Sequence, residues 1–414
     1  MNKLTSYLSL FLLAASMTTF ISSCGMVAGE STENTVSDTK KSLEIPEIFQ
    51  RKGELAKAAE WQKTQQKVEE LKGKIAKKPD DVKARLQIAT IYISEARITG
   101  EHPYYYPAIH KILDGALSME PNNFEAIVLK ASVYLSQHRF QDARELAEKA
   151  KKLNPSNAFV YGILVDANVE LGNYKEAIAA SDKMQTLKPS LESYSRASYL
   201  REIHGDFEGA IEAMKLAVQA GLPGSEPQCW SRNTLADLYL RTGELEKAEE
   251  QFKVNLVLRP SYAFSMAGLA KIEEKRGNHE KALRLLDSAA AVLPEFSFHE
   301  QMADIYLAQG NKEKAMAKYE EVRTMLAEDE ASGHTVALEM AKLYTKMEKL
   351  PEAEKYVQQE YKLRPSNIDV NKEYAWILYK KNELSKAKEH LRLAKVTNSK
   401  DPELLELDKK IGSM

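Results

Sequence analysis

The chain has 414 residues, 43% hydrophobic and 29% charged, with only 18 Gly and 14 Pro, a mixture that suits many short amphipathic helices better than a sheet. Lys and Arg total 58 against 60 Asp and Glu, a net charge of −2, and the two signs are interleaved along the chain. That balance excludes the basic footprint of a nucleic-acid-binding protein.

The first predicted element is MNKLTSYLSLFLLAASMTTFISSC, with one Lys near its start and an apolar run from Leu8 to Ala15. Crossing a membrane takes about 20 apolar residues, so this stretch reads as a secretory signal over residues 1–23. Its end, Ile21-Ser22-Ser23-Cys24, resembles the lipobox of bacterial lipoproteins. The resemblance implies cleavage before Cys24 and acylation there, palmitate included; an ordinary cleaved signal followed by a chance cysteine is the other reading. Gly25 rather than Asp after the cysteine implies, for that family, the outer membrane, with the periplasmic and external faces both open. The polar stretch that follows suits a tether over 24–45, and lipidation of Cys24 leaves Cys229 with no disulfide partner.

Residues 46–78 read as an N-terminal capping helix, amphipathic from Pro46 to Lys77, with Leu55, Val68, Leu71 and Ile75 on its apolar face. A helical unit follows from Val82 to Pro121. Its stretch 94–109, SEARITGEHPYYYPAI, makes the connection between its helices several residues too long, because Pro103 and Pro107 argue against continuous helix.

From there the chain repeats itself. LGNYKEAI, TGELEKAE and QGNKEKAM belong to a series whose alanines are Ala143, Ala177, Ala210, Ala248, Ala282, Ala315, Ala353 and Ala387, spaced 34, 33, 38, 34, 33, 38 and 34 residues apart. Twelve residues before each stands Ala131, Val165, Ser198, Ala236, Ala270, Ala303, Ala341 or Ala375, small in every copy but Val165. Aromatics recur at Tyr134, Tyr239, Tyr306 and Tyr344, Pro closes many units, and Gly172, Gly205, Gly243, Gly277 and Gly310 mark the turns, where a residue past a helix end adopts positive φ. This pattern resembles the tetratricopeptide repeat over residues 79–400. The resemblance implies an all-α, right-handed superhelical solenoid of about nine helical hairpins, closed by a C-terminal capping helix over 401–414.

The tetrad Leu-x-Pro-Ser recurs at 153, 258 and 363, 105 residues apart, which points to a three-repeat superunit. The two long spacings fall at AGLPGSEPQCW (220–230) and LAEDEASGHTV (326–336), both expected as loops on one edge of the superhelix.

No catalytic or metal-binding motif is found: the eight histidines are scattered, with no H-x3-H or HExxH pair and no CxxC, and the expectation is a non-enzymatic chain without cofactor or metal. The family resemblance places the concave face on helix A positions, here Asp166, Arg196, Tyr199, Asn233, Asp237, Lys271, Glu300, Asp304, Lys342 and Trp376. Aromatics and an Arg among separated acids would suit a protein or peptide partner. The functional expectation is a lipid-anchored scaffold or assembly adaptor in the cell envelope. A surface lipoprotein that binds a glycan or small molecule for an uptake system is the alternative.

Overall fold

The computed structural model describes residues 45–412, so the signal segment, Cys24 and nearly all of the tether lie outside the described residues. After a short 3-10 turn (Gly53–Lys57) comes α1 (Ala59–Lys77), then nine helical hairpins. They are α2 (Val82–Thr99) with α3 (His102–Met119), α4 (Phe124–Ser136) with α5 (Phe140–Leu153), α6 (Ala158–Glu170) with α7 (Tyr174–Leu187), α8 (Leu191–Ile203) with α9 (Phe207–Ala220), and α10 (Glu226–Arg241) with α11 (Leu245–Leu258). The rest are α12 (Ala263–Lys275) with α13 (His279–Val292), α14 (Phe296–Ala308) with α15 (Lys312–Ala331), α16 (Ala337–Lys346) with α17 (Leu350–Leu363), and α18 (Ile368–Lys380) with α19 (Leu384–Ala394); α20 (Pro402–Gly412) closes the array. The described residues contain no strand, and none of their helices is long and apolar enough to cross a membrane.

Local chemistry sets these boundaries. Asn123, Asn157 and Asn367 each stand two residues after a Pro and accept a backbone N–H of the next helix on their side chains, so the Pro ends one helix and the Asn starts another. Within each hairpin the two helices meet at the paired small positions. All eight marked alanines of the second helices are 0% exposed, and their partners from Ala131 to Ala375 are at most 1% exposed. Ser198, a polar member of that set, donates to the Ala210 carbonyl at 2.7 Å, so its hydroxyl is buried with a partner. Of the aromatic stripe, Tyr239 is buried, whereas Tyr134, Tyr306 and Tyr344 are half-buried. Each of the four rings carries a cation over its face, Arg139 over Tyr134, Lys247 over Tyr239, Lys314 over Tyr306 and Lys349 over Tyr344, so the ring packs inward on one side and is roofed by a charge on the other.

Three expectations are corrected. The Pro46–Lys77 segment is not one helix: Gly53 takes φ +54° and the 3-10 turn ends before α1 begins. The stretch 94–109 is not a long connection, because α2 runs to Thr99 and α3 starts at His102 with only Gly100 and Glu101 between. Pro103 lies in the first turn of α3, where an N–H has no carbonyl to reach, and Pro107 forfeits a single bond close behind it. Likewise the extra residues of 220–230 and 326–336 mostly lengthen helices, α10 to 16 residues and α15 to 20.

The 94–109 stretch has a structural use. It and Tyr92 just before it hold residues 46–51 as a strap: the hydroxyls of Tyr92 and Tyr104 donate to the Pro46 and Glu47 carbonyls, and Tyr105 Oη accepts the Phe49 N–H. Arg51 at the end of this strap forks onto Glu95 at 2.9 and 2.7 Å, both side chains buried. The strap thereby seals the first hairpin, as a capping element must.

Successive turns of the superhelix touch. Residues about 194 positions apart meet wherever a turn inside one hairpin reaches a connection between two later ones. Arg364 pairs with Glu170, Asn367 Nδ2 donates to the Glu170 carbonyl, and the Ile368 N–H donates to Tyr174 Oη at 2.9 Å. Gln137 and His138 meet Ser332 and Thr335. A Cβ on Gly172 would stand 2.4 Å from the Ser366 carbonyl carbon, and one on Gly205 2.7 Å from the Asn398 carbonyl oxygen. Both glycines have positive φ, but so do the equivalent His138, Glu348 and Asn382; at Gly172 and Gly205 the added demand is the close approach of the next turn.

Candidate functional site

The residues expected to line an open groove are brought together in pairs. Arg196 on α8 reaches back to Asp166 on α6 with Nε to Oδ1 at 2.9 Å and Nη2 to Oδ2 at 2.6 Å, and Nε also donates to the Gly162 carbonyl. Gly162 gives the guanidinium room, since a Cβ there would lie 3.0 Å from its central carbon. Further along, Arg241 on α10 pairs with Glu202 on α8 at 2.5 Å, Lys271 on α12 with Asp237 on α10 at 3.0 Å, and Lys346 on α16 with Glu300 and Asp304 on α14, both at 2.7 Å. The inner faces of the first helices are thus laced by opposite charges on neighbouring units.

Exposure divides this ladder. Asp166, Arg196, Tyr199 and Glu300 are buried, and Arg196, at 1% exposure, is among the largest fully buried side chains of the described residues. Their expected exposure is therefore corrected: Asp166, Arg196 and Glu300 are sealed in pairs between neighbouring first helices, and Tyr199 is covered by Ile368 of the next superhelical turn. Burial pushes the Asp166 carboxyl up to about 6 against the pull of Arg196, and pushes the Glu300 carboxyl upward against Lys346. Tyr199 packs with Ile203 and Ile368, and burial drives its hydroxyl well above the ordinary range. Trp376 is roofed by Lys410 of α20, 4.9 Å from the ring centroid, and Lys342 lines a cavity described below.

Asn233, Asp237, Lys271 and Asp304 stay partly exposed. Asn233 Nδ2 donates to Asp237, Lys271 bonds the other Asp237 oxygen, and Asn233 Oδ1 accepts from Ser265. These contacts fix a polar patch on α10 and α12, with Asp304 on α14 continuing it and held by Tyr319 Oη at 2.7 Å. Sequence reasoning found these acids but missed the cations Arg241 and Lys346. The available signal was opposite charge recurring on successive first helices.

A second feature lies where the irregular stretches converge. Arg97 at the end of α2 pairs with Glu226 at 3.0 Å, and Gly100 packs under Leu293 and Pro294. His102 stacks on Tyr106 and meets the His334 ring at 5.7 Å between centroids. A cavity of about 180 Å³ opens here, with His102, His138, Phe296, Asp329, His334 and Lys342 among its walls. The free thiol of the described residues, Cys229, is 0% exposed, and burial raises it to about 11, so it offers no reactive thiolate.

Comparison with known proteins bears on the repeat. A family model described as tetratricopeptide repeat matches residues 267–330, and another, described as anaphase-promoting complex, cyclosome, subunit 3, matches residues 105–184. The chain is a tetratricopeptide repeat protein. A curated relative of this repeat protein, the mitochondrial import receptor subunit TOM70 of Homo sapiens, is 24% identical over 62% of the chain and 42% of that relative. The chain therefore aligns with less than half of the relative's length. Among solved structures, the APC/C hetero-tetramer Cut9-Hcn1 is similar at 12% identity and a TM-score of 0.44 over 80% of the chain and 56% of that chain. A tetratricopeptide repeat protein from Parabacteroides merdae is similar at 17% identity and 0.38 over 70% and 98%.

Proposed function

We propose that this tetratricopeptide repeat protein is an exported, lipid-anchored scaffold that holds a protein partner at the cell envelope, on the outer membrane. The observation that carries the recognition part is the partly exposed patch of Asn233, Asp237, Lys271 and Asp304, fixed by hydrogen bonds on three consecutive hairpins. Pre-ordered polar groups lose little freedom when a partner binds, which favours recognition over a mobile surface. Both carboxylates and Lys271 suit a segment carrying donors and an acceptor, such as a basic or mixed-charge loop. The relatives support a role in protein recognition, since one is named an import receptor subunit and one matched family a subunit of a multi-protein complex.

Anchoring rests on Ile21-Ser22-Ser23-Cys24 and the polar residues after it. One acyl chain binds a membrane only marginally, so a stable anchor requires the several chains of a lipoprotein cysteine. Acyl labelling of cells carrying Cys24→Ala tests this half: the label is expected to vanish, and unchanged labelling contradicts it.

Recognition is tested by affinity capture from detergent-solubilised envelope with the full chain and with an Asn233→Ala/Asp237→Ala/Lys271→Ala variant. Capture of the same protein by the native chain and its loss from a variant with unchanged helicity supports the patch. Equal capture by both places the partner elsewhere.

A further inference from the structure

We propose that His102, Asp329 and His334 bind one divalent transition-metal ion that clasps the first hairpin to the α15–α16 junction. The three side chains come from segments more than 220 residues apart, yet each offers a ligand atom and these atoms all lie within 4.8 Å of one another. Around a tetrahedral zinc ion such atoms stand about 3.3 Å apart, so closure by up to about 1.5 Å, shared among three side chains at a cavity wall, completes the site.

The second coordination shell is already in place. His334 Nδ1 faces the Asp329 carbonyl at 3.2 Å and Ser332 Oγ at 3.0 Å. A carbonyl can only accept, so Nδ1 carries the proton and Nε2 is left as a lone pair. Among the described residues, that buried Nε2 has no hydrogen-bond partner. A bound ring nitrogen backed by a carbonyl on its other nitrogen is the usual arrangement of a metal-ligating histidine, and a buried unpaired acceptor is otherwise costly. His102 is likewise backed by the Ala96 carbonyl.

Electrostatics favour a cation. The acidic groups lining the cavity besides Asp329 are Glu101, Glu295, Glu328 and Glu339. Lys342 and the His138 ring also face the cavity, and Arg97 beside it is paired with Glu226. Two imidazoles and one carboxylate select borderline ions over magnesium or calcium, and the cavity of about 180 Å³ leaves room for water as a further ligand.

The test is calorimetric titration of zinc chloride into the untagged, chelator-treated full chain, alongside His334→Gln, Asp329→Asn and, as a control, His390→Gln, which packs between Tyr361 and Tyr374. One zinc per chain is expected, with a higher melting temperature, affinity lowered by about tenfold or more in either ligand variant, and no change in the control. Absence of stoichiometric binding, or equal binding by both ligand variants, overturns the proposal. Cobalt added to the unaltered chain gives a reading independent of variant folding: a visible band of four- or five-coordinate cobalt supports the site, and only the octahedral spectrum of the aquo ion overturns it.

Discussion

Arg364, in the connection before α18, is ion-paired with Glu170 at the end of α6, across one turn of the superhelix. The same guanidinium holds Glu360 and lies 4.9 Å over the Phe140 ring, at 4% side-chain exposure. Removing one partner of a buried pair leaves a charge unpaired at a cost of about 3–5 kcal/mol. Arg364→Ala is expected to lose about that much in urea unfolding, whereas a surface change such as Lys253→Ala, on a side chain 62% exposed, is expected to lose less than about 1 kcal/mol. Equal losses would mean that the turns do not meet through Arg364.

Gly172 and Gly277 separate the turn contact from backbone strain. Their φ angles are +79° and +80°, but an added methyl on Gly277 meets nothing within 4 Å, whereas on Gly172 it meets Ser366 at 2.4 Å. Gly277→Ala is expected to cost about 1–2 kcal/mol for the left-handed conformation alone, and Gly172→Ala about 1–3 kcal/mol more for the overlap. Chemical denaturation of the two variants measures the difference. Identical losses would contradict the close approach.

The Asp166 and Arg196 pair makes a claim about pH. With its folded pKa near 6, Asp166 holds its proton more tightly when buried than in the unfolded chain, where the ordinary value is near 3.9. Its contribution is fully present below about pH 4 and is lost as pH rises through 6. Native stability relative to Asp166→Asn should therefore increase by up to about 3 kcal/mol between pH 7 and pH 4. A constant difference across that range would rule out the raised value.

Much of this was legible in the sequence. The alternation of small positions such as Ser198 and Ala210 marks helix pairs locally, because close packing of two helices admits few residue types; eight hairpins follow from counting them, and the irregular unit from Val82 to Pro121 makes the ninth. What the sequence could not show is how steeply the array coils. That property accumulates from small rotations at each unit, and it decides whether Tyr199 faces water or Ile368 of the next turn. The meeting of His102 with His334 was hidden for the same reason: each histidine sits in a stretch that departs from the repeat, but only the closure of a turn brings the departures together. The lengthened α10 and α15 were misread as loops because Pro227 and Gly333 look like breakers, although Pro227 stands in a helix's first turn and Gly333 just past a helix end.

Closure of the superhelix is most directly tested at the Ile368 amide. It stands at the start of α18, where an N–H has no carbonyl of its own helix to reach, and its partner is Tyr174 Oη at 2.9 Å. Hydrogen exchange at this amide should be slow in the native chain and accelerate by an order of magnitude or more in Tyr174→Phe, with the neighbouring helices still protected. Rapid exchange of Ile368 in the native chain would contradict the closed superhelix, and with it the packing of Tyr199 against Ile368.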